Sequence, residues 1–195
     1  EKVTLDRADL SFATLDDAQL TEVYARDANL AEASARRAAF VRCQFARSVM
    51  DLFKAPSATL DACDFTAARL IRSVWYETTF RGCTFRGADL TDALLSGATF
   101  LDCDFRDADL AITSTTFAGS THQTQFLRCD LRGVRLAGRD LDRVRMVDCK
   151  VAGTRCRPIV HDAIIERPDL SESADGSRIA AASDLLAIWS RAPDA

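Results

Sequence analysis

The sequence predicts an all-β solenoid, a four-sided (quadrilateral) β-helix that ends in a C-terminal α-helix. Three observations predict it. Apolar side chains recur at every fifth position over the first 110 residues. Like residues recur at a second spacing of 20. Near the C-terminus the pattern changes to one apolar helical face.

The five-residue series starts at Leu5. Of its 22 positions to Leu110, 19 carry large apolar residues and the other three carry Ala. Two residues earlier runs a series of small residues, among them Ala8, Ala28, Ala88 and Ala108, with Phe53 as the large exception. The remaining positions are mostly Asp, Arg, Thr, Ser and Gly. A period of five fits neither an α-helix at 3.6 nor a strand at 2. It fits a coil whose sides each send one small and one large side chain inward.

The spacing of 20 gives the number of sides. Cys43, Cys63, Cys83 and Cys103 share the small position. Phe45, Phe65, Phe85 and Phe105 share the large position two residues later, and Phe40, Leu60, Phe80 and Phe100 recur on another phase. Four fives make one turn, so like residues stack on turns about 4.8 Å apart. The rings then form ladders along the axis.

The units TLDRADLSFATL, FRGADLTDALLSGATF and LDCDFRDADL resemble the A(D/N)LxX motif of the pentapeptide-repeat family. The resemblance covers residues 3 to about 156. It implies a right-handed quadrilateral β-helix and an interaction function. It also brings two family precedents: topoisomerase binding by DNA mimicry, and dimerisation through a terminal helix.

After Leu110 the pattern fails, then resumes at Phe126 with Cys129 and Cys149 at the small position. Cys103 to Cys129 and Phe100 to Phe126 are both 26 residues, one turn plus six. An outward bulge over about 111–125 keeps the ladders continuous. Phe117 and His122 in that segment are candidate interaction residues, since loops often carry function. The expected division is a β-helix over 1–157 and a cap and linker over 158–195. A helix over about 177–191 places Ile179, Leu185, Leu186 and Trp189 on one face. That helix either covers the open end of the coil or pairs with a second chain, with Leu185 and Trp189 as the contact residues.

Composition narrows the function classes. Seven Cys without short metal spacings read as reduced thiols, mostly inert core residues, in a cytoplasmic protein. No apolar run is long enough to cross a bilayer as a helix. The chain opens on charged residues inside the repeat, without Met or a signal peptide, which suits a module cut from a larger protein. No nucleophile motif, phosphate loop, cofactor site or metal set is present, so an enzyme is not expected.

Charge varies along the axis. Residues 1–110 carry 18 acids and 13 bases, 111–157 carry 4 and 9, and 158–195 carry 7 and 3. Arg128, Arg132, Arg135, Arg139 and Arg143 make the middle stretch basic, a candidate for electrostatic registration against a protein. Asp130, Asp140, Asp142 and Asp148 interrupt it, which disfavours nucleic acid as the partner. The expected function is a non-enzymatic scaffold docking a protein, such as a module of a bacterial secretion accessory protein. The alternative is a DNA-mimicking binder of type II topoisomerase (DNA gyrase) giving quinolone protection. Mixed outward charge weakens that alternative, because duplex DNA carries about one negative charge per 1.7 Å.

Overall fold

A computed structural model describes residues 2–111, 123–136, 144–156 and 163–191. Twelve short strands precede one helix among them: β1 (Val3–Thr4), β2 (Gln19–Thr21), β3 (Val23–Tyr24), β4 (Ala39–Val41), β5 (Thr59–Asp61), β6 (Thr79–Arg81), β7 (Thr99–Leu101), β8 (Gln125–Leu127), β9 (Arg135–Leu136), β10 (Arg145–Val147), β11 (Arg155–Cys156), β12 (Ile164–Glu166) and α1 (Ala182–Arg191).

Every strand pair is parallel, and most pairs join residues 20 apart, as Leu60 with Phe80. The longest face is an eight-stranded sheet in the order β12-β10-β8-β7-β6-β5-β4-β2. Single-residue parallel bridges continue the ladder on the other sides, as Thr84 with Asp104 and Val74 with Leu94. The fold is thus a parallel coil whose turns stack on one another.

The interior is solid. Phe45, Phe65, Phe85 and Phe105 are buried, with successive ring centroids 5.2, 4.9 and 4.7 Å apart. Phe80, Phe100 and Phe126 form a second stack at 4.7 and 5.0 Å, and Phe80 meets Phe85 edge-on at 5.3 Å. Phe40 heads that column and meets Phe45 edge-on. Trp75 is fully buried, its indole N–H donating to Ser73 Oγ at 2.7 Å. Phe126 lies directly over Phe100, and Phe100 pairs with Phe126 in the β7–β8 register. The six extra residues therefore leave the ladder unbroken; residues 112–122, with most of the expected bulge, lie outside the described residues.

Cys43, Cys63, Cys83, Cys103, Cys129 and Cys149 are buried and free. Each thiol donates to a carbonyl of the preceding turn, as Cys63 to Phe40 O at 3.5 Å and Cys149 to Phe126 O at 3.2 Å. Thr78 does the same at an equivalent small position, donating to Ala55 O at 2.6 Å. These inward polar groups thus join adjacent turns. Burial is the main cause that pushes the Cys129 thiol well above its ordinary range. The neighbouring Cys63 thiol, then burial, raises Cys43.

Corners impose a constraint that the apolar pattern does not reveal. From Leu5 to Phe105 the second residue after each large position has positive φ: Arg7 at 60°, Asp27 at 56°, Ala67 at 54° and so on along the coil. Among the described residues twenty-two non-glycine residues and six glycines have positive φ, all but Ala174 and Gly176 at these corners, and none of them is Val, Ile or Thr. A left-handed conformation costs an L-residue roughly 1–2 kcal/mol, and β-branching worsens the crowding. The coil holds these residues there by inter-turn hydrogen bonds, as Arg7 N to Arg26 O at 2.8 Å and Ala67 N to Arg86 O at 2.8 Å.

The coil continues beyond the expected division at residue 157. β12 pairs with β10, Asp169 bridges to Lys150, and Leu170 is buried in the core. Met146 pairs with Ile165, a spacing of 19. This one-residue contraction shifts the five-residue phase, so the extra turn is not visible in the strict series.

The C-terminal segment then folds back over the open end. Ile179 forms an antiparallel bridge with Asp169, and Ala180 N donates to Pro168 O at 3.0 Å. The buried Asp169 carboxylate accepts from Ser171 N and Oγ and from Gly176 N, which closes the turn. The helix begins at Ala182, later than the expected Ser177, because residues 177–180 are used in this return.

Candidate interaction surface

The inward residues of each side leave two kinds of outward position. One lies on the strand, flanking the large residue; the other lies at the positive-φ corner. Because the backbone repeats every turn, outward residues of one kind form straight columns along the axis.

Most corner charges are paired along these columns. Arg37 meets Asp17 at 2.6 Å, Arg42 meets Glu22 at 3.0 Å, and Arg47 meets Asp27 at 2.7 Å. Beside the corners, Arg26 meets Asp6 at 2.7 Å, and Arg69 pairs with Asp51. Hydrogen bonds from Arg37 hold the Asp17 carboxyl below the usual carboxylate range, and those from Arg128 do so for Asp102. Acid and base thus alternate at the corners, with no continuous negative stripe there among the described residues.

The structure describes five of the expected interaction residues: Arg128, Arg132, Arg135, Leu185 and Trp189. Arg128 is paired with Asp102 at 2.7 Å. Arg132 is paired with Asp130 at 2.6 Å and also donates to Glu172 O at 3.0 Å. Arg135 is paired with Asp109 at 3.0 Å. The basic stretch is therefore not a free cationic patch at these three residues: its charges are matched by acids on the same or the preceding turn. Phe117, His122, Arg139 and Arg143 lie outside the described residues.

Leu185 and Trp189 take the first of the two expected outlets, the open end of their own coil. They are 0% and 2% exposed, and Trp189 Nε1 donates to Thr154 Oγ1 at 2.9 Å. Both serve as the lid on their own coil and are not available to a second chain. The helix instead presents Leu186 and Ile188 outward, with Ile179 exposed beside them. A shallow groove next to the lid is lined by Leu170, Arg178, Ile179, Asp184 and Ile188.

Among the described residues no set of three or more His, Cys, Asp or Glu is placed to hold a metal ion, and no helix is long and apolar enough to cross a membrane.

The eight-stranded face is different in character, and the sequence reading passed over it. Its first outward column reads Gln19, Ala39, Thr59, Thr79, Thr99 and Gln125, without a charge over six turns, and continues with Arg145 and Ile164 on β10 and β12. Its second reads Thr21, Val41, Asp61, Arg81, Leu101 and Leu127 over the same six turns, then Val147 and Glu166. Reading the outward residues modulo 20, as was done for the inward ones, would have found it.

A parallel coil with a filled interior, a capped end and flat ladder faces defines a solenoid repeat protein that offers surface rather than a cleft. The chain belongs to the pentapeptide repeat family. The family model for pentapeptide repeats matches in eight copies, over residues 4–40, 14–51, 58–97 and 76–111. Proteins of this family are in general non-enzymatic structural or binding proteins.

Solved structures agree on the fold. HetL, a pentapeptide repeat protein involved in heterocyst differentiation regulation from the cyanobacterium Nostoc sp. strain PCC 7120, is 17% identical, with a TM-score of 0.54 over 87% of this chain and 92% of that one. A trypsin-treated form of QnrB1, a plasmid-mediated fluoroquinolone resistance protein, is 16% identical, with a TM-score of 0.55 over 87% of this chain and 80% of that one. Comparison with curated protein sequences found no match.

Proposed function

We propose that this chain is a non-enzymatic scaffold that docks a protein partner on the outer faces of a rigid rod. The observation that carries the reading is the combination of a filled ring-and-aliphatic interior with flat faces held by inter-turn bonds. A packed interior leaves no cavity for a substrate. A preordered surface loses little entropy on binding, so it suits macromolecular docking. Six buried free thiols are consistent with a reducing compartment such as the cytoplasm. A role as a module of a bacterial secretion accessory protein remains within this proposal.

Two finer readings are ranked by the same surface. Mimicry of duplex DNA needs a continuous line of negative charge, and the corner columns alternate acid with Arg. This favours the general scaffold over a topoisomerase binder. A dimer through α1 would have to use Leu186, Ile188 and Ile179, because Leu185 and Trp189 are occupied as the lid.

Affinity capture with the immobilised chain from its native extract, followed by mass spectrometry, tests the proposal. A saturable partner, competed by soluble chain, is the expected result. Recovery of gyrase subunits, with protection of supercoiling from a quinolone, would replace it with the mimicry reading. Turnover of a small molecule would overturn the non-enzymatic assignment.

A further inference from the structure

The outward side of the eight-stranded sheet has a charge pattern that is complementary to itself. We propose that this face docks a second copy of the chain, with the two coils antiparallel and face to face. The proposal stands independently of the protein-docking reading above.

Number the turns by the strands β2, β4, β5, β6, β7 and β8. In the column holding Asp61 and Arg81, these are the only charges over the six turns; the others are Thr21, Val41, Leu101 and Leu127. Asp61 and Arg81 are register neighbours and both are exposed. No ion pair joins them within the chain, unlike Glu22 with Arg42 on the adjacent corner. The corner beside them is bare, with Ala62 and then Gly82, and a methyl added at Gly82 would meet nothing within 4 Å. A partner surface can therefore approach the two charges closely.

A two-fold axis lying between β5 and β6, along the strands, reverses the coil and brings each column onto itself. Asp61 then faces the partner's Arg81, and Arg81 faces the partner's Asp61. Val41 faces the partner's Leu101, and Thr21 faces the partner's Leu127. In the neighbouring column Thr59 faces the partner's Thr79, Ala39 the partner's Thr99, and Gln19 the partner's Gln125. At the corner Glu22 faces the partner's Arg128, and Arg42 faces the partner's Asp102. All three columns match in this one register.

The neighbouring antiparallel registers fail on charge. Shifting the axis half a turn one way sets Asp61 on the partner's Asp61; the other way sets Arg81 on the partner's Arg81. Shifting it a full turn buries Asp61 and Arg81 against Leu127 and Leu101, or against Val41 and Thr21. Unpaired buried charge is costly, so these alternatives are selected against. The matched span is about 24 Å along the axis, from six turns at about 4.8 Å. That footprint is below the roughly 800 Å² per partner of a standard stable interface. Association should therefore be weak, with a dissociation constant on the order of micromolar or higher.

Sedimentation velocity of the intact chain over a wide concentration range reads the equilibrium, with Asp61→Arg, Arg81→Asp and the double exchange as variants. Both sites of change are exposed, so circular dichroism should show an unchanged fold. Expected is a monomer–dimer equilibrium weakened at least about tenfold by either single reversal. The double exchange should restore it, because the pair is only inverted. A chain that stays monomeric at every concentration overturns the proposal. So does a dimer indifferent to all three variants. A dimer lost instead on Ile188→Asp would assign the contact to α1 and likewise overturn it.

Discussion

Truncating Phe85 to Ala is the most direct test of the stacked interior. The ring is fully buried. It stacks on Phe65 at 4.9 Å and on Phe105 at 4.7 Å, and meets Phe80 and Phe100 edge-on at 5.3 and 6.0 Å. Removing a buried Phe side chain typically costs about 3–5 kcal/mol, from lost transfer energy plus the cavity. Here four ring contacts are lost at once, each of them worth roughly 0.5–1.5 kcal/mol beyond burial, so the loss should fall near the upper end. Neighbouring rings cannot slide into the gap, because the inter-turn bonds fix the spacing of their backbones. Arg86 points outward from the adjacent position, and Arg86→Ala should cost less than about 0.5 kcal/mol. Urea unfolding followed by far-ultraviolet circular dichroism measures both. Because a repeat array can open locally, amide exchange at Thr84 and Asp104 gives a second, site-resolved reading. A loss below about 2 kcal/mol for Phe85→Ala, far under the range for such truncations, or similar losses for both variants, would refute the assigned inward register.

Other expectations follow from the corners, the thiols, the lid and the ion pairs. Ala67→Val should destabilise by roughly 1–2 kcal/mol, while Ala67→Gly should be neutral or slightly stabilising, because the φ of 54° excludes β-branching and suits glycine; equal melting temperatures for the two variants would contradict the corner argument. Cys43, Cys63, Cys83, Cys103, Cys129 and Cys149 should resist a thiol reagent in the native state and react together on unfolding, and fast native labelling of more than one or two thiols would count against the buried ladder. Trp189→Phe should lose about 1 kcal/mol with the Thr154 hydrogen bond, and deleting residues 177–195 should bare the coil end and cause aggregation seen by light scattering; a soluble, folded truncation would show that the lid is dispensable. Asp6, Asp17, Asp27 and Asp102 are held below the ordinary 3.8, mainly by hydrogen bonds from Arg partners. Their contribution is therefore present above 3.8 and is lost as pH falls through their lowered values, so melting temperature should decline below about pH 4. A melting temperature unchanged in that acid range would show that the pairs add nothing to stability.

The legible part of the fold is the part set by periodicity. An inward position must be apolar on every turn, so Leu5 to Leu110 writes its spacing into the sequence regardless of partners. The Cys and Phe series at a spacing of 20 carry the turn length, and the offset of 26 identifies six residues as extra. The candidate interaction residues were much less legible. Arg128, Arg132 and Arg135 look like a basic patch along the chain. In space each lies beside an acid, 26 residues away for Arg128 and Arg135 and two residues away for Arg132. Charge counted along the sequence misses pairing between turns.

What the sequence by itself determined is therefore the coil: its five-residue sides, its four-sided turn and its in-register ladders, because each inward side chain meets the same kind of environment one turn later. Only the tertiary structure decided which outward charges cancel, how far the coil runs, and where the terminal helix buries its aromatic residue. The 19-residue step from Met146 to Ile165 breaks the phase by one residue while the backbone pairing absorbs it. On a helical wheel Trp189 reads as part of an apolar face to be covered by either the coil end or a second chain, and it finds Thr154 because the coil end offers an uncovered core next to the returning chain. The physical reason is common to all three: they depend on which residues become neighbours across turns, and that pairing exists only once the coil has closed.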